Sequence, residues 1–306
     1  MTTQYKRQAK LLIGAGTSLI DLSEMAIEFE VQAPNVETPK TAYIRVYNLS
    51  PDTAKRVTTE GAQVILSAGY EGNFGTIFNG QLIQARIGRE NGTDTYLDLT
   101  AAVGDYTYNH GFLNFTVSAG SDVTGRLGMI ANAVGLKTGV IQAPPDAPKL
   151  PRGQVFFGLA RDHLRTQCAT IGADWCINDN GELDVISRGS YKPGDVPVIT
   201  AATGMIGVPE QTEIGIKVRC LLNPNLQQNM LVQLDNASIK QFRFSTNIYD
   251  QVKAALVAPV SADGLYKVLF VNHVGKTRGN DWYTDLVCYS KLTGSRGQLE
   301  YMPVSF

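Results

Sequence analysis

The sequence is poor in the residues on which most enzyme chemistry depends. Three histidines, four cysteines and two tryptophans are spread over 306 residues. His163 is too many positions from Cys168 to share a helix face with it, since only side chains three or four apart are neighbours there. His110 and His273 are the other two histidines of the chain. The cysteines, Cys168, Cys176, Cys220 and Cys288, make no CxxC pair, and a structural zinc needs four ligands where only His163 lies near Cys168 and Cys176. Cys220 and Cys288 fall on the apolar phase of their strands, where a free cysteine acts as a small hydrophobe. Cys168 and Cys176 could meet if a helix ran straight into a strand, but the lack of a secretion signal argues for reduced thiols. No catalytic, cofactor-binding or metal-ligating set is expected.

Long apolar runs are missing as well. Nothing approaches the roughly 18 residues that would span a bilayer. Leu11, Leu12, Ile13, Gly14, Ala15 and Gly16 follow Lys6, Arg7 and Lys10 in the manner of a signal peptide, yet the apolar part is short and Asp21 and Glu24 follow at once. The segment reads as a strand and turn. Gly14-Ala15-Gly16 lacks the third glycine and the helix that a dinucleotide loop needs. Net charge is also nearly absent, at −1 from 27 basic and 28 acidic residues. Stable nucleic-acid binding needs clustered Lys and Arg to neutralise phosphates, and here they are scattered. Passage of DNA along the protein is compatible with this balance, because a strongly basic wall would hold it back.

What the sequence does contain is one unit written twice. Gly88-Arg-Glu-Asn-Gly-Thr-Asp-Thr-Tyr-Leu-Asp-Leu99 aligns without a gap on Gly275-Lys-Thr-Arg-Gly-Asn-Asp-Trp-Tyr-Thr-Asp-Leu286. Gly88, Gly92 and Asp94 then match Gly275, Gly279 and Asp281, and these are the expected structural turns of the repeat. Each copy reads as a hairpin, with an apolar strand (Ile83, Ala85, Ile87; Val268, Phe270, Val274), a turn and an alternating strand (Leu97, Leu99, Ala101; Trp282, Leu286, Cys288). In this alignment His273 falls where the first copy has Arg86, which suggests a surface position. Upstream, the strand with Ile44 and Val46 ends at Asn48-Leu49-Ser50-Pro51, and the strand Ile214, Ile216, Val218, Cys220 ends at Leu222-Asn223-Pro224. Proline closes each ladder because it cannot donate to it. An apolar run then follows in each copy: Val64, Ile65, Leu66 and Leu231, Val232, Leu234.

Between the copies the pattern changes. Val123, Leu127, Ile130 and Val134 recur at helical spacing between a Ser121 or Asp122 cap and Gly135. After a Pro-rich linker, Ala160, Leu164, Cys168 and Ile171 predict a second helix ended by Gly172. Trp175 and Ile177 lead through Asn178-Asp179-Asn180-Gly181 to Leu183 and Val185, which predicts a hairpin. The expected architecture is therefore mainly β and α+β overall. Two small β-barrel or sandwich domains, 1–105 and 198–306, flank an α+β insert, 106–197. A duplicated β unit points to pseudo-symmetry and assembly rather than to a single cleft.

The acids that invite an enzymatic reading are Asp98, Asp285 and Glu182, as in an enzyme that degrades cell wall. Asp98 and Asp285 occupy equivalent places beside Tyr96 and Tyr283, which favours a structural role. A carbohydrate- or receptor-binding module using Trp175, Trp282 and the tyrosines as a stacking platform is a further alternative, although the phase of Trp175 with Ile177 favours the core.

The run Ile199–Glu210, continuing through Gly215, Ile216 and Val218 to Leu221-Leu222-Asn223-Pro224, resembles the baseplate hub family of contractile-tailed bacteriophages. Tyr43–Ser50, Ala68-Gly69-Tyr70 and Val271–Trp282 are similar to that family too. The resemblance covers most of the chain and carries no catalytic signature. It implies two tail-tube-like domains per subunit and a homotrimer adapting the sixfold tail tube to a threefold central spike. It also implies a DNA ejection channel through the ring, without specific DNA binding or membrane insertion. The implied partners are the tail tube protein ring, the central spike protein, other baseplate proteins and, as a further candidate, the tape measure protein. The implied location is the virion tail baseplate, after assembly in the host cytoplasm. Some hub relatives carry a lysozyme or an oligosaccharide-binding-like domain; with the second repeat ending shortly before Phe306, those activities are expected on other proteins.

Overall fold

The computed structural model describes residues 5–15, 18–35, 37–58, 61–212, 214–240 and 260–290. Gly16 and the parts of the second unit at 241–259 and 291–306 lie outside them. The first unit contains β1 (Arg7–Ala15), β2 (Ser18–Asp21), β3 (Ile27–Pro34), β4 (Thr41–Tyr47), α1 (Pro51–Val57), β5 (Gln63–Tyr70), β6 (Asn73–Arg89) and β7 (Thr95–Ala102). The middle segment contains α2 (Asp105–His110), β8 (Phe112–Val117), α3 (Val123–Ala133), β9 (Lys137–Ile141), β10 (Gln154–Leu159), α4 (Ala160–Thr170), β11 (Ala173–Ile177) and β12 (Glu182–Ser187). The second unit follows with β13 (Val198–Ile199), β14 (Met205–Gln211), β15 (Ile216–Leu221), β16 (Leu231–Leu234), β17 (Leu265–Lys276) and β18 (Trp282–Ser290). The protein is mainly β, as the alternating patterns predict.

The two units have the same strand order. Neighbouring strands run β3-β4-β7-β6-β5 in the first and β14-β15-β18-β17-β16 in the second. The likeness reaches single residues. Arg45 lies directly across from Asp98 and Arg219 directly across from Asp285. The β6–β7 ladder skips one residue between Leu82 and Gln84, opposite Ala101 and Thr100. The β17–β18 ladder skips one between Val268 and Phe270, opposite Cys288 and Val287. A bulge sits at the same step of both hairpins, a feature that re-aims a strand.

The gapless alignment of the two turns is off by one on their first strands. Arg86 faces Asp98 where Asn272 faces Asp285, so Gly88 corresponds to Val274 and Gly275 to Arg89. The second turn is one residue longer. Its closing bond runs from Lys276 N–H to Asp281 O, against Glu90 N–H to Asp94 O in the first. His273 consequently corresponds to Ile87, and it is buried rather than on the surface.

The units also share one sheet. β17 pairs with β3 in antiparallel fashion from Phe270 opposite Pro34 to Lys276 opposite Glu28, joining both units in a thirteen-stranded sheet. The seam is packed as well as hydrogen-bonded. Phe29 on β3 meets Trp282 on β18 edge to face, with ring centroids 5.5 Å apart. The close approach requires glycine at 275, because a Cβ there would lie 2.3 Å from the Phe29 ring.

Pro51 does more than end β4. Ser50 caps α1 by accepting from the Thr53 N–H, and Pro51 opens the helix at a position where its missing N–H costs nothing. In the middle segment, α3 starts at the Asp122 cap, which accepts from Gly125 N–H, and α4 runs from Ala160. β11 and β12 form the expected hairpin around Asn178–Gly181. That turn docks on the first unit. Lys40, 8% exposed, reaches Asp179 at 2.6 Å, and Asn79 Nδ2 donates to the Asp179 carbonyl at 3.0 Å. The core of the middle segment is continuous with that of the first unit, while the second unit has a core of its own around Tyr266, Val268, Val271 and Cys288.

Candidate functional site

The repeat places one three-residue clasp on each unit. In the first, Arg45 Nε and Nη2 donate to the two carboxylate oxygens of Asp98 at 2.7 and 3.0 Å, and its guanidinium lies 4.0 Å from the Tyr96 ring centroid. In the second, Arg219 donates to Asp285 at 2.7 and 2.9 Å and lies 4.0 Å from the Tyr283 ring. The geometry follows from the strands. Arg and Asp stand opposite one another on adjacent strands, and the Tyr two positions before the Asp projects from the same face, within diagonal reach. Hydrogen bonding to the carboxylate pushes both guanidinium pKa values up from their ordinary range.

A fork-to-fork pair under a stacked ring is a rigid surface staple. These side chains are a third to a half exposed, so the pair itself contributes on the order of 1 kcal/mol. Arg45→Ala and Arg219→Ala are each expected to lower unfolding stability by about 1 kcal/mol, and by similar amounts in the two units. Denaturant unfolding of both variants checks this, and a several-fold disparity between them would count against equivalent roles.

The clasps also decide against Asp98 and Asp285 as a sugar-cleaving pair. Each has both oxygens engaged by a guanidinium. The two strands stand four strand spacings apart in the sheet, about 19 Å along it. Paired glycosidase carboxylates are about 5–9.5 Å apart. Glu182 accepts a hydrogen bond from Asn178 beside the docked turn. Trp175 and Trp282 are both 2% exposed, so neither offers a face to a sugar.

The cysteines are free thiols, with Cys168, Cys220 and Cys288 buried. Burial pushes the Cys168 thiol up to about 12 and that of Cys176 to about 11, the opposite of what activates a nucleophile. His163 hydrogen-bonds the Phe157 carbonyl. Among the described residues no group of three potential ligands could hold a metal.

The expected turn residues serve two purposes. Asp94 accepts from Asn91 and Asn48, and Gly92 lies at an open tip where a Cβ would meet nothing. Gly279 and Asn280 offer their carbonyls to the Arg7 guanidinium on β1. Lys276 forms ion pairs with Asp281 and Glu28 at 3.5 and 3.7 Å. Asn223 and Pro224 lie against the β5–β6 turn of the first unit. Asn73 Nδ2 donates to Asn223 Oδ1 at 3.2 Å, and a Cβ on Gly75 would touch Pro224. Sequence reasoning missed both arginines and the pairing of β3 with β17.

The two units differ most at one edge. β17 is covered along its far half by β3, and Val268 and Phe270 to His273 are buried. The corresponding half of β6 pairs with β7 on one side and, among the described residues, with nothing on the other beyond Leu82. Ile83 and Ile87 there are 41% and 68% exposed. At the opposite end of the sheet, β14 exposes Ile206 and Val208.

No protein-family model matches the chain, and no curated protein matches it by sequence. Solved structures do match by fold. A 43 kDa tail protein of prophage MuSo2 from Shewanella oneidensis superposes with a TM-score of 0.60 at 8% identity, covering 92% of this chain and 97% of that one. A tail protein from Neisseria meningitidis MC58 gives 0.60 at 8% identity, covering 94% and 97%. An E. coli component of the type VI secretion system, described as structurally similar to the T4 tail proteins gp27 and gp5, gives 0.58 at 10% identity, covering 96% and 81%. The chain has the fold of these tail proteins, the fold that its resemblance to baseplate hubs implies.

Proposed function

We propose that this protein is a structural hub of a phage-type contractile tail. Three copies form a ring that adapts the sixfold tail tube to the threefold central spike and lines the channel through which DNA leaves. The observation that carries this reading is the second writing of one five-strand order, with the same bulge and the same Arg–Asp–Tyr clasp, inside a chain with a tail-protein fold. A trimer of such a chain offers six similar faces to a hexameric neighbour and a true threefold axis to the spike. The scattered charge suits a wall that DNA slides along without being held. The tube ring, spike and other baseplate proteins are the partners this role requires, and the virion tail is its place.

The deciding measurement is the mass in solution, alone and with the spike protein of the same tail. A trimer in either condition is expected. A chain that stays monomeric in both, or that cleaves peptidoglycan, would overturn the reading.

A further inference from the structure

We propose that the free half of the β1 edge, Arg7–Lys10, is a docking slot for one extended, acidic segment of a partner protein. The segment would lie in line with β2 and add a short strand to the sheet. The inference stands apart from the ring reading, and its failure would leave that reading as it is.

The argument starts from backbone groups without partners. β1 pairs with β5 from Arg7 to Gly14, but with β2 only from Leu12 to Ala15. Leu11 marks the boundary. Its carbonyl accepts from Leu22 N–H at 2.9 Å and its N–H donates to Ser23 Oγ at 3.2 Å, so both of its backbone groups point away from β5. That direction alternates along an antiparallel strand. Arg7 and Ala9 share the phase of Leu11, and among the described residues nothing takes their N–H or C=O groups on that side.

Those groups open on a cleft of about 470 Å3, of which Arg7, Gln8, Ala9 and Lys10 form one wall. Asp21 and Ser23 line it where β2 gives out, and Thr277 and Trp282 bring in the second unit. The volume lies within the ordinary range for ligand sites, about 300–1,000 Å3. Four residues of strand span about 13 Å, so the slot takes a short stretch of chain.

The chemistry of the walls selects the occupant. Arg7 and Lys10 are both exposed. The Arg7 guanidinium donates to the carbonyls of Gly279 and Asn280 at 2.8 and 3.2 Å, contacts that hold it in place and leave its charge unneutralised. The one carboxylate of the lining, Asp21, is already engaged by the hydroxyl and the N–H of Ser23, which hold its pKa below the ordinary range. Two cations against one satisfied carboxylate make the slot attractive to a carboxylate from outside. Phe74, 42% exposed, stands in one row with Gly69 and Gln8 across the sheet and adds an apolar surface beside the charges. The class that fits is an extended peptide alternating carboxylates with apolar side chains, held by main-chain hydrogen bonds and sorted by charge.

A lysine on a strand edge also serves to keep stray strands away. That use suits an edge bare to solvent. Here the edge opens into a walled cleft, and a positive slot turns away basic strands while admitting acidic ones.

Fluorescence polarisation with a fluorescein-labelled hexapeptide of alternating Glu and Val tests this on the full chain. Saturable binding is expected, weakened about tenfold or more by Ala9→Pro, by N-methylation of alternate peptide amides, and by replacing the peptide's Glu with Lys. Ala9→Pro removes the N–H that faces the slot and no ladder bond, a place where an edge strand accepts proline. Its unfolding midpoint beside that of wild type shows whether the fold is kept, and the N-methylated peptide probes the same bonds on the unaltered protein. No saturable binding, or equal binding of the plain and N-methylated peptides, would overturn the slot. Equal binding of the Lys peptide would overturn the acidic occupant. Self-association of wild type that Ala9→Pro removes would make a second copy the occupant and overturn the partner assignment.

Discussion

Trp282→Ala is expected to lower the unfolding free energy by about 3–5 kcal/mol, the cost of removing a large buried aromatic from a packed site. The indole is 2% exposed, and its edge-to-face partner Phe29 belongs to the other unit, so the change opens a cavity at the seam itself. Trp282→Phe should cost less than about 1.5 kcal/mol. It keeps a ring against Phe29, and it removes a buried Nε1–H that has no hydrogen-bond acceptor among the described residues. Urea unfolding followed by circular dichroism separates the two outcomes. Equal and small losses in both variants would mean that the β3–β17 ladder holds the units together without the aromatic pair. A large loss only in the alanine variant makes the ring contact the anchor of the seam.

The repeat was legible because its turns and its Tyr-x-Asp strands recur in order. Local patterns also placed α3, α4 and the β11–β12 hairpin, since amphipathic spacing, an Asp122 cap and an Asn-Gly turn are all near-neighbour signals. The off-by-one match of Gly88 with Gly275 arose because a gapless alignment cannot register a turn lengthened by one residue. The glycines differ in purpose: Gly275 makes room for Phe29, whereas a Cβ at Gly88 would meet the Tyr96 ring across its own hairpin.

The clasp was only half read. Tyr96, Asp98, Tyr283 and Asp285 were visible as a repeated pair, and their arginines were present as Ile44-Arg45-Val46 and Val218-Arg219-Cys220. A charge held between two apolar strand residues on the opposite face is a signal for a cross-strand partner, and it was available in both copies. The helix α1 was hidden because Ser50-Pro51 is both a strand terminator and a helix opener. The β3–β17 seam could not be read at all. Pairing between strands so far apart in sequence is fixed by packing, and β3 alternates in burial much as any one-faced strand does.

His273 is expected to make the protein acid-sensitive in a defined window. The imidazole is 2% exposed on β17, where it faces Val31 of β3 on one side and Thr284 of β18 on the other. Its Nδ1 and the Thr284 hydroxyl are 2.9 Å apart. Burial, reinforced by the charge of Lys40, pushes its pKa down to about 3 from the ordinary value of 6.5. The native protein holds the ring neutral, while the unfolded chain binds a proton below about pH 6.5. Its neutral burial therefore leaves stability untouched above that pH, and stability is lost as pH falls from about 6.5 to about 3. Linkage gives a loss of about 2 kcal/mol at pH 5 and about 4 kcal/mol at pH 3. Carboxylates contribute their own losses in acid, so the informative quantity is the difference from His273→Gln, which does not titrate and retains a partner for Thr284. The stability difference between wild type and variant should move in favour of the variant by about those amounts as the buffer is taken from pH 7 to pH 5 and pH 3. Parallel curves for the two proteins would show that the histidine is reached by solvent and that the seam around β17 opens before the fold does.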